Sequence, residues 1–198
     1  MTETDEKLVQ NFVEGDDKAL AQLIDRYLNP LYNFVFQLTR DGQVAEDIVQ
    51  ETFVKVWKHA GSFDAKKKFS TWIYAIAKNA SYDFLKKKKA IPFSAFENED
   101  GSSVWENIED GASLCAEALL RKMDDVKDAQ EFLDTLSPQL KTIFLLHHVQ
   151  GFSLVEVAEI LGSPTNTIKS KYRRALLLLR QQFSSKRALK EAKTAVKG

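Results

Sequence analysis

The sequence predicts an all-α protein built as two small helical domains joined by an acidic flexible linker. Three observations lead there. Apolar residues recur at helical spacing through most of the chain. No segment alternates apolar and polar residues between hairpin turns, as a half-buried strand would. Proline and glycine are scarce, at 4 and 8 in 198 residues, and one central stretch loses all periodicity and becomes acidic.

The first domain is predicted over 1–91. Leu20, Leu23, Ile24 and Tyr27, then Leu31, Phe34, Val35 and Leu38, form an apolar stripe expected to be interrupted at Pro30. After a break at Asp41-Gly42, a second stripe runs through Ile48, Thr52, Phe53, Val56 and Trp57, and a third through Phe69, Trp72, Ile73, Ile76 and Ala77. From 92 to 118 the chain reads as a linker: "FENEDGSSVWENIEDGAS" carries Glu97, Glu99, Asp100, Glu106, Glu109 and Asp110 with no basic residue. The second domain is predicted over 119–184, with breaks at Ser137-Pro138, Gln150-Gly151 and Gly162. A basic tail over 185–198 is expected to fray.

Composition narrows the class. Hydrophobic residues make up 44% and charged residues 28%, with 28 basic and 28 acidic side chains. No apolar run is long enough to span a bilayer, and "MTETDEKLVQ" lacks the pattern of a secretory signal. A cytoplasmic protein without membrane insertion is expected. The lone Cys115 excludes an internal disulfide and a multi-cysteine zinc site, and nothing near it suggests a thiol of depressed pKa. His147-His148 lacks companion ligands at zinc spacing and reads as structural. With no Gly-rich phosphate loop, metal-ligand set or nucleophile–base pair, the chain is expected to be no enzyme and to need no cofactor.

Positive charge is concentrated on "GSPTNTIKSKYRRALLLLR", which holds Lys169, Lys171, Arg173, Arg174 and Arg180 and no acid. It forms the second half of a predicted helix-turn-helix. In the first helix Val157, Ala158 and Leu161 face inward, and Gly162 supplies the positive φ of a helix-ending turn. Ser163 is predicted as N-cap and Pro164 as first helical residue. Ile168, Tyr172, Ala175 and Leu179 form the buried stripe of the second helix. Asn166, Thr167, Ser170, Lys171 and Arg174 lie opposite. Short polar groups for base edges beside cations for phosphates suit a DNA-reading helix, whereas a merely solvated helix usually mixes charge signs.

A second candidate surface lies in the first domain. Asp47, Gln50 and Glu51 stand at i, i+3 and i+4 on one helix face, with Phe53 and Trp57 beside them. A polar cluster edged by aromatics suits a protein interface; a solvated face above core aromatics is the alternative.

These segments, "GDDKALAQLIDRY", "AEDIVQETFVKVW", "FSTWIYAIAKN", "LSPQLKTIFLLHHVQGFSLVEVAEILG" and "PTNTIKSKYRRA", stand in an order that resembles the bacterial RNA polymerase sigma factors of the extracytoplasmic-function group. The resemblance implies a subunit that binds core RNA polymerase and directs promoter-specific initiation. Its first domain would bind polymerase through Asp47, Gln50, Glu51, Phe53 and Trp57 and melt the −10 element. There Asn79 would receive a flipped base, flanked by Lys66, Lys67, Lys68, Lys78, Lys86 and Lys87 (with Lys88 and Lys89) as phosphate contacts. The second domain would read the −35 element through Thr165, Asn166, Thr167, Lys169, Ser170, Lys171, Arg173 and Arg174. Implied partners are core RNA polymerase, promoter DNA and the anti-sigma factor common in the group, with the free protein a monomer. The sequence departs from the group's pattern at Asp83, an acid in a helix usually basic or neutral. A dimeric regulator acting without polymerase is the alternative reading. The acidic linker either imitates nucleic-acid charge, keeps DNA off the free protein, or serves as a soluble tether.

Overall fold

The computed structural model describes residues 3–88 and 126–195. The predicted linker, Lys89 and Cys115 lie outside these residues. The described chain forms eight α-helices and no strand: α1 (Asp5–Val13), α2 (Asp17–Thr39), α3 (Gly42–His59), α4 (Phe69–Lys87), α5 (Val126–Thr135), α6 (Pro138–Phe144), α7 (Leu154–Leu161) and α8 (Thr165–Ala195). A 3-10 turn (Ala60–Ser62) follows α3, and a π-helical turn (Leu145–Val149) follows α6.

Packing divides the chain into one unit of Met1–Phe93 with Leu145–Ser163 and another of Ser94–Phe144 with Pro164–Gly198. The units therefore cut across the domains drawn from the sequence, because the π turn and α7 pack with the N-terminal helices.

In the first unit, the side chains of Thr4, Asp16 and Asp41 cap α1, α2 and α3 by accepting backbone N–H bonds. Such caps satisfy donors that the helix itself leaves unpaired. The core joins Leu8, Leu23, Leu31, Phe34, Val35, Ile48, Phe69 and Ile73. Contrary to the sequence expectation, α2 runs unbroken through Pro30. Leu23 on one side of the proline and Leu31, Phe34 and Val35 on the other are nearly solvent-free, and their burial outweighs the one lost backbone bond.

Lys68 at the N-cap of α4 makes no side-chain capping bond. The cap comes from 63 residues away, where Glu6 of α1 accepts the N–H of Phe69 at 3.0 Å. The preceding residue, Asp5, pairs with Arg26 at 2.6 Å and accepts the Tyr27 hydroxyl. Tyr27 in turn meets the Phe69 ring edge-on, with centroids 5.4 Å apart. The first turn of α1 thus ties α2 to the root of α4.

The other side of α4 receives α7 and the residues leading into it. Tyr74, 2% exposed, donates to Gln150 Oε1 at 2.5 Å and packs edge-on against Phe152. Lys68 forms a 2.7 Å ion pair with Glu156. Glu156 also completes a capping box with Ser153, whose N–H donates to it at 2.8 Å. The His147 ring nitrogen Nδ1 donates to the Phe152 carbonyl at 2.6 Å. Burial beside His147 pushes the His148 pKa down to about 4, so its ring is neutral at pH 7. His147 thus ties the π-helical turn to the residues entering α7.

The second unit packs α5, α6 and α8 around Phe132, Leu136, Leu140, Ile143, Phe144, Ile168, Tyr172, Ala175, Leu176 and Leu179. Lys141 reaches Asp134 at 3.0 Å. The basic tail does not fray at Phe183: α8 continues to Ala195.

Candidate protein and nucleic-acid interfaces

The α3 face is exposed at Asp47, Gln50 and Glu51, as its spacing predicts. Asp47 accepts from Gln43 at 3.4 Å and Glu51 pairs with Lys55 at 2.7 Å, both one turn away on the same helix. Trp57 is 58% exposed and does not join the core stripe of its helix. That stripe runs instead through Ala45, Ile48, Val49, Thr52 and Val56. Trp57, Phe53 and Gln50 line an open cleft of about 730 Å³ between α2 and α3, together with Leu20, Ile24 and Leu28.

Leu28 and Val54 of this cleft are 44% and 43% exposed. Periodicity places Leu20 and Ile24 on the core stripe, whereas both line this cleft with Leu28 and Val54. The available signal was a second apolar line, Leu20-Ile24-Leu28, one residue out of register with Leu23-Tyr27-Leu31. A helix apolar on two faces has more to bury than its own core accounts for.

The basic surface of the first unit begins in the loop before α4. Asp64 folds the loop by accepting the N–H of Lys66 on its carboxylate at 3.0 Å and that of Lys67 on its carbonyl at 2.9 Å. Phe63 anchors the loop against Phe69 and Trp72. Lys66 and Lys67 project from it into solvent. Lys68 is also exposed but bonded to Glu156, which raises the lysine's pKa and lowers that of the carboxyl. Along α4, Asn79, Asp83 and Lys86 share a face at i, i+4 and i+7 and are all exposed, as is Lys87. Lys78 differs: it is 8% exposed, and its ammonium turns to Asn79 rather than to solvent. It therefore does not stand with the other lysines as a phosphate contact in this conformation. Trp72 is half-buried against Phe63 and Phe69, and Tyr74 is core.

In the predicted helix-turn-helix, Gly162 adopts φ 62° as the turn requires. Val157 and Ala158 are buried and Leu161 half-buried; Ile160, which the sequence reading omitted, is 2% exposed. α8 starts at Thr165, one residue later than predicted, with the Pro164 carbonyl accepting the Ile168 N–H at 3.1 Å. Its stripe of Ile168, Tyr172, Ala175 and Leu179 is buried as expected. Asn166, Lys169 and Ser170 are exposed; Thr165, Thr167, Lys171, Arg173 and Arg174 are half-buried. Lys171 donates to Gln139 of α6 at 2.6 Å. The described residues contain no group of metal-ligating side chains, and no described helix is long and apolar enough to cross a membrane.

Two family models match this arrangement: Sigma-70 region 2 over residues 23–91 and Sigma-70 region 4 over residues 127–179. These regions in this order define the class, a transcription initiation factor rather than an enzyme. Over 179 residues the chain is 30% identical to the ECF RNA polymerase sigma factor SigW of Bacillus subtilis, covering 89% of this chain and 95% of the relative. It is 29% identical over 178 residues to the ECF RNA polymerase sigma-E factor of Escherichia coli K12, covering 87% and 90%. The chain belongs to the extracytoplasmic-function (ECF) RNA polymerase sigma factors, the subunits that recognise promoters and bind RNA polymerase.

Two solved structures share the fold. CnrH, in complex with the cytosolic domain of CnrY, aligns with TM-score 0.66 and 21% identity over 92% of this chain and 99% of its own. The sigma factor RpoE of Bartonella quintana, in complex with the anti-sigma factor NepR, aligns with TM-score 0.62 and 24% identity over 84% and 98%.

Proposed function

We propose that the two exposed surfaces divide the work of initiation. The α2–α3 cleft, with Asp47, Gln50, Glu51, Phe53 and Trp57, docks on core RNA polymerase. The loop at Lys66–Lys68 and the Asn79–Lys86 face of α4 take the melted −10 strand. The start of α8, from Thr165 to Arg174, reads the −35 element. In functional terms the chain then divides as the sequence suggests: 1–91 for polymerase and −10 binding, 92–118 as linker, 119–184 for −35 binding and 185–198 as tail. An anti-sigma factor would bind the protein, as NepR is found in complex with RpoE, and the setting would be the cytoplasm.

The observation that carries this reading is the apolar cleft beside an acidic and polar rim. An exposed tryptophan flanked by Leu28 and Val54 is an anchor awaiting a partner. The test is run-off transcription with core polymerase, with and without this protein, on promoters with intact or scrambled −35 and −10 elements. Initiation that requires the protein and both elements is expected; initiation indifferent to both would refute the assignment.

A further inference from the structure

Lys78 is a buried cation on the helix that carries Asn79. Burial lowers its pKa, an effect that Asp83 partly offsets and Lys86 reinforces. Its ammonium lies 5.6 Å from the centroid of the Tyr82 ring and donates to Asn79 Oδ1 at 2.5 Å. Burying a charge is costly, and an apolar side chain of similar shape is often no less stable in its place. Packing therefore does not explain a lysine here; the bond to Asn79 gives it a use.

An ammonium has three donors and no acceptor. Of the two orientations of the Asn79 amide, only the one with Oδ1 toward Lys78 makes a bond; the other sets donor against donor. The Nδ2 hydrogens are thus held on the side away from Lys78, while the second lone pair of Oδ1 stays available. We propose that Lys78 is a positioning residue for promoter reading: it fixes the Asn79 amide so that donor and acceptor meet an unpaired base in one order. This rests on the reading of Asn79 as a base contact.

The order matters because bases of the same ring size invert it. On the pairing edge cytosine offers an amino donor beside a ring acceptor, and thymine a carbonyl acceptor beside a ring donor. Adenine and guanine differ in the same way. For a base seated in one position, with its 4- or 6-substituent and ring nitrogen facing the amide, a fixed amide separates cytosine from thymine, or adenine from guanine; a freely turning amide accommodates both. The ammonium is the clamp, and any donor-only group of similar reach would serve.

The experiment uses the full chain with core polymerase on forked promoters carrying each of the four bases in turn at every non-template −10 position. Asn79→Ala identifies the position read. There the parent should prefer one base over its same-sized counterpart by about tenfold or more, as a bidentate contact does. Lys78→Met should reduce that preference to within about twofold while melting at the parent's temperature or above. Lys78→Arg, also donor-only, should retain most of it. Full discrimination in Lys78→Met alongside its loss in Asn79→Ala would overturn the inference and leave the Asn79 reading intact. Equal loss in Lys78→Met and Lys78→Arg would also overturn it, by marking a packing role. Unchanged preferences in Asn79→Ala would remove the base contact itself, and the proposal with it.

Discussion

Replacing Trp57 by alanine should separate docking from folding. Trp57 is 58% exposed, so of the roughly 250 Å² a tryptophan can bury about 145 Å² is open to a partner. Covering all of it is worth about 3.6 kcal/mol at ~25 cal/mol per Å². Interfaces realise only part of such area, so a loss of about 2–3 kcal/mol is expected, or roughly 30- to 150-fold in Kd. The same exposure means that truncation removes little from the folded state, and the melting free energy should change by no more than about 0.5 kcal/mol. Core polymerase titrated into labelled protein, followed by anisotropy, gives the affinity; a thermal melt gives the stability. An affinity within twofold of the parent would show that the cleft is not the docking site. A large fall in stability would show that Trp57 is structural after all.

Glu6→Ala should destabilise the first unit by about 1–2 kcal/mol, because it removes the carboxylate that caps α4 at Phe69; Glu6→Gln, which keeps an acceptor, should cost less, and denaturant unfolding distinguishes them. The His148 pKa is lowered from 6.5 to about 4 in the folded chain, so the unfolded chain binds the extra proton first. Stability from this group is therefore present above pH 6.5 and lost as pH falls toward 4, and His148→Gln should flatten that part of a stability–pH profile. On α8, Lys169→Ala or Arg173→Ala should weaken matched and scrambled −35 duplexes alike and reduce the salt slope by about 0.9. Lys171→Ala or Arg174→Ala should instead lower the preference for the matched sequence; a salt titration on both duplexes tells the two effects apart.

The helices were legible because their apolar spacing and their punctuation agree. Asp41-Gly42 ends one stripe and caps the next helix, and Gly162 takes the left-handed turn its position implies. Pro30 misled because local propensity argues for a break, whereas the fate of the helix is decided by side chains that meet α1, α3 and α4 through space. Trp57 sits next to a core residue in sequence, and only the observed register of Ala45, Ile48, Thr52 and Val56 turns it outward. The exposed polar face of α3 could be read from i, i+3, i+4 spacing alone. The Lys78–Asn79 bond could not, since neither charge nor spacing tells which lysine of a basic helix is buried. The Glu6 cap joins residues 63 apart, a pairing for which the sequence carries no local mark.

The ion pair between Lys68 and Glu156 makes one charge serve two claims. Glu156 gives Oε1 to Lys68 at 2.7 Å and Oε2 to the Ser153 N–H and hydroxyl at 2.8 and 2.7 Å. The cap of α7 and its tether to the loop before α4 thus use different oxygens of a single carboxylate. A strand phosphate taking Lys68 would exchange one anion for another and leave the cap in place. Seating α7 on α4 and offering Lys68 to a nucleic acid are then opposite settings of the same lysine.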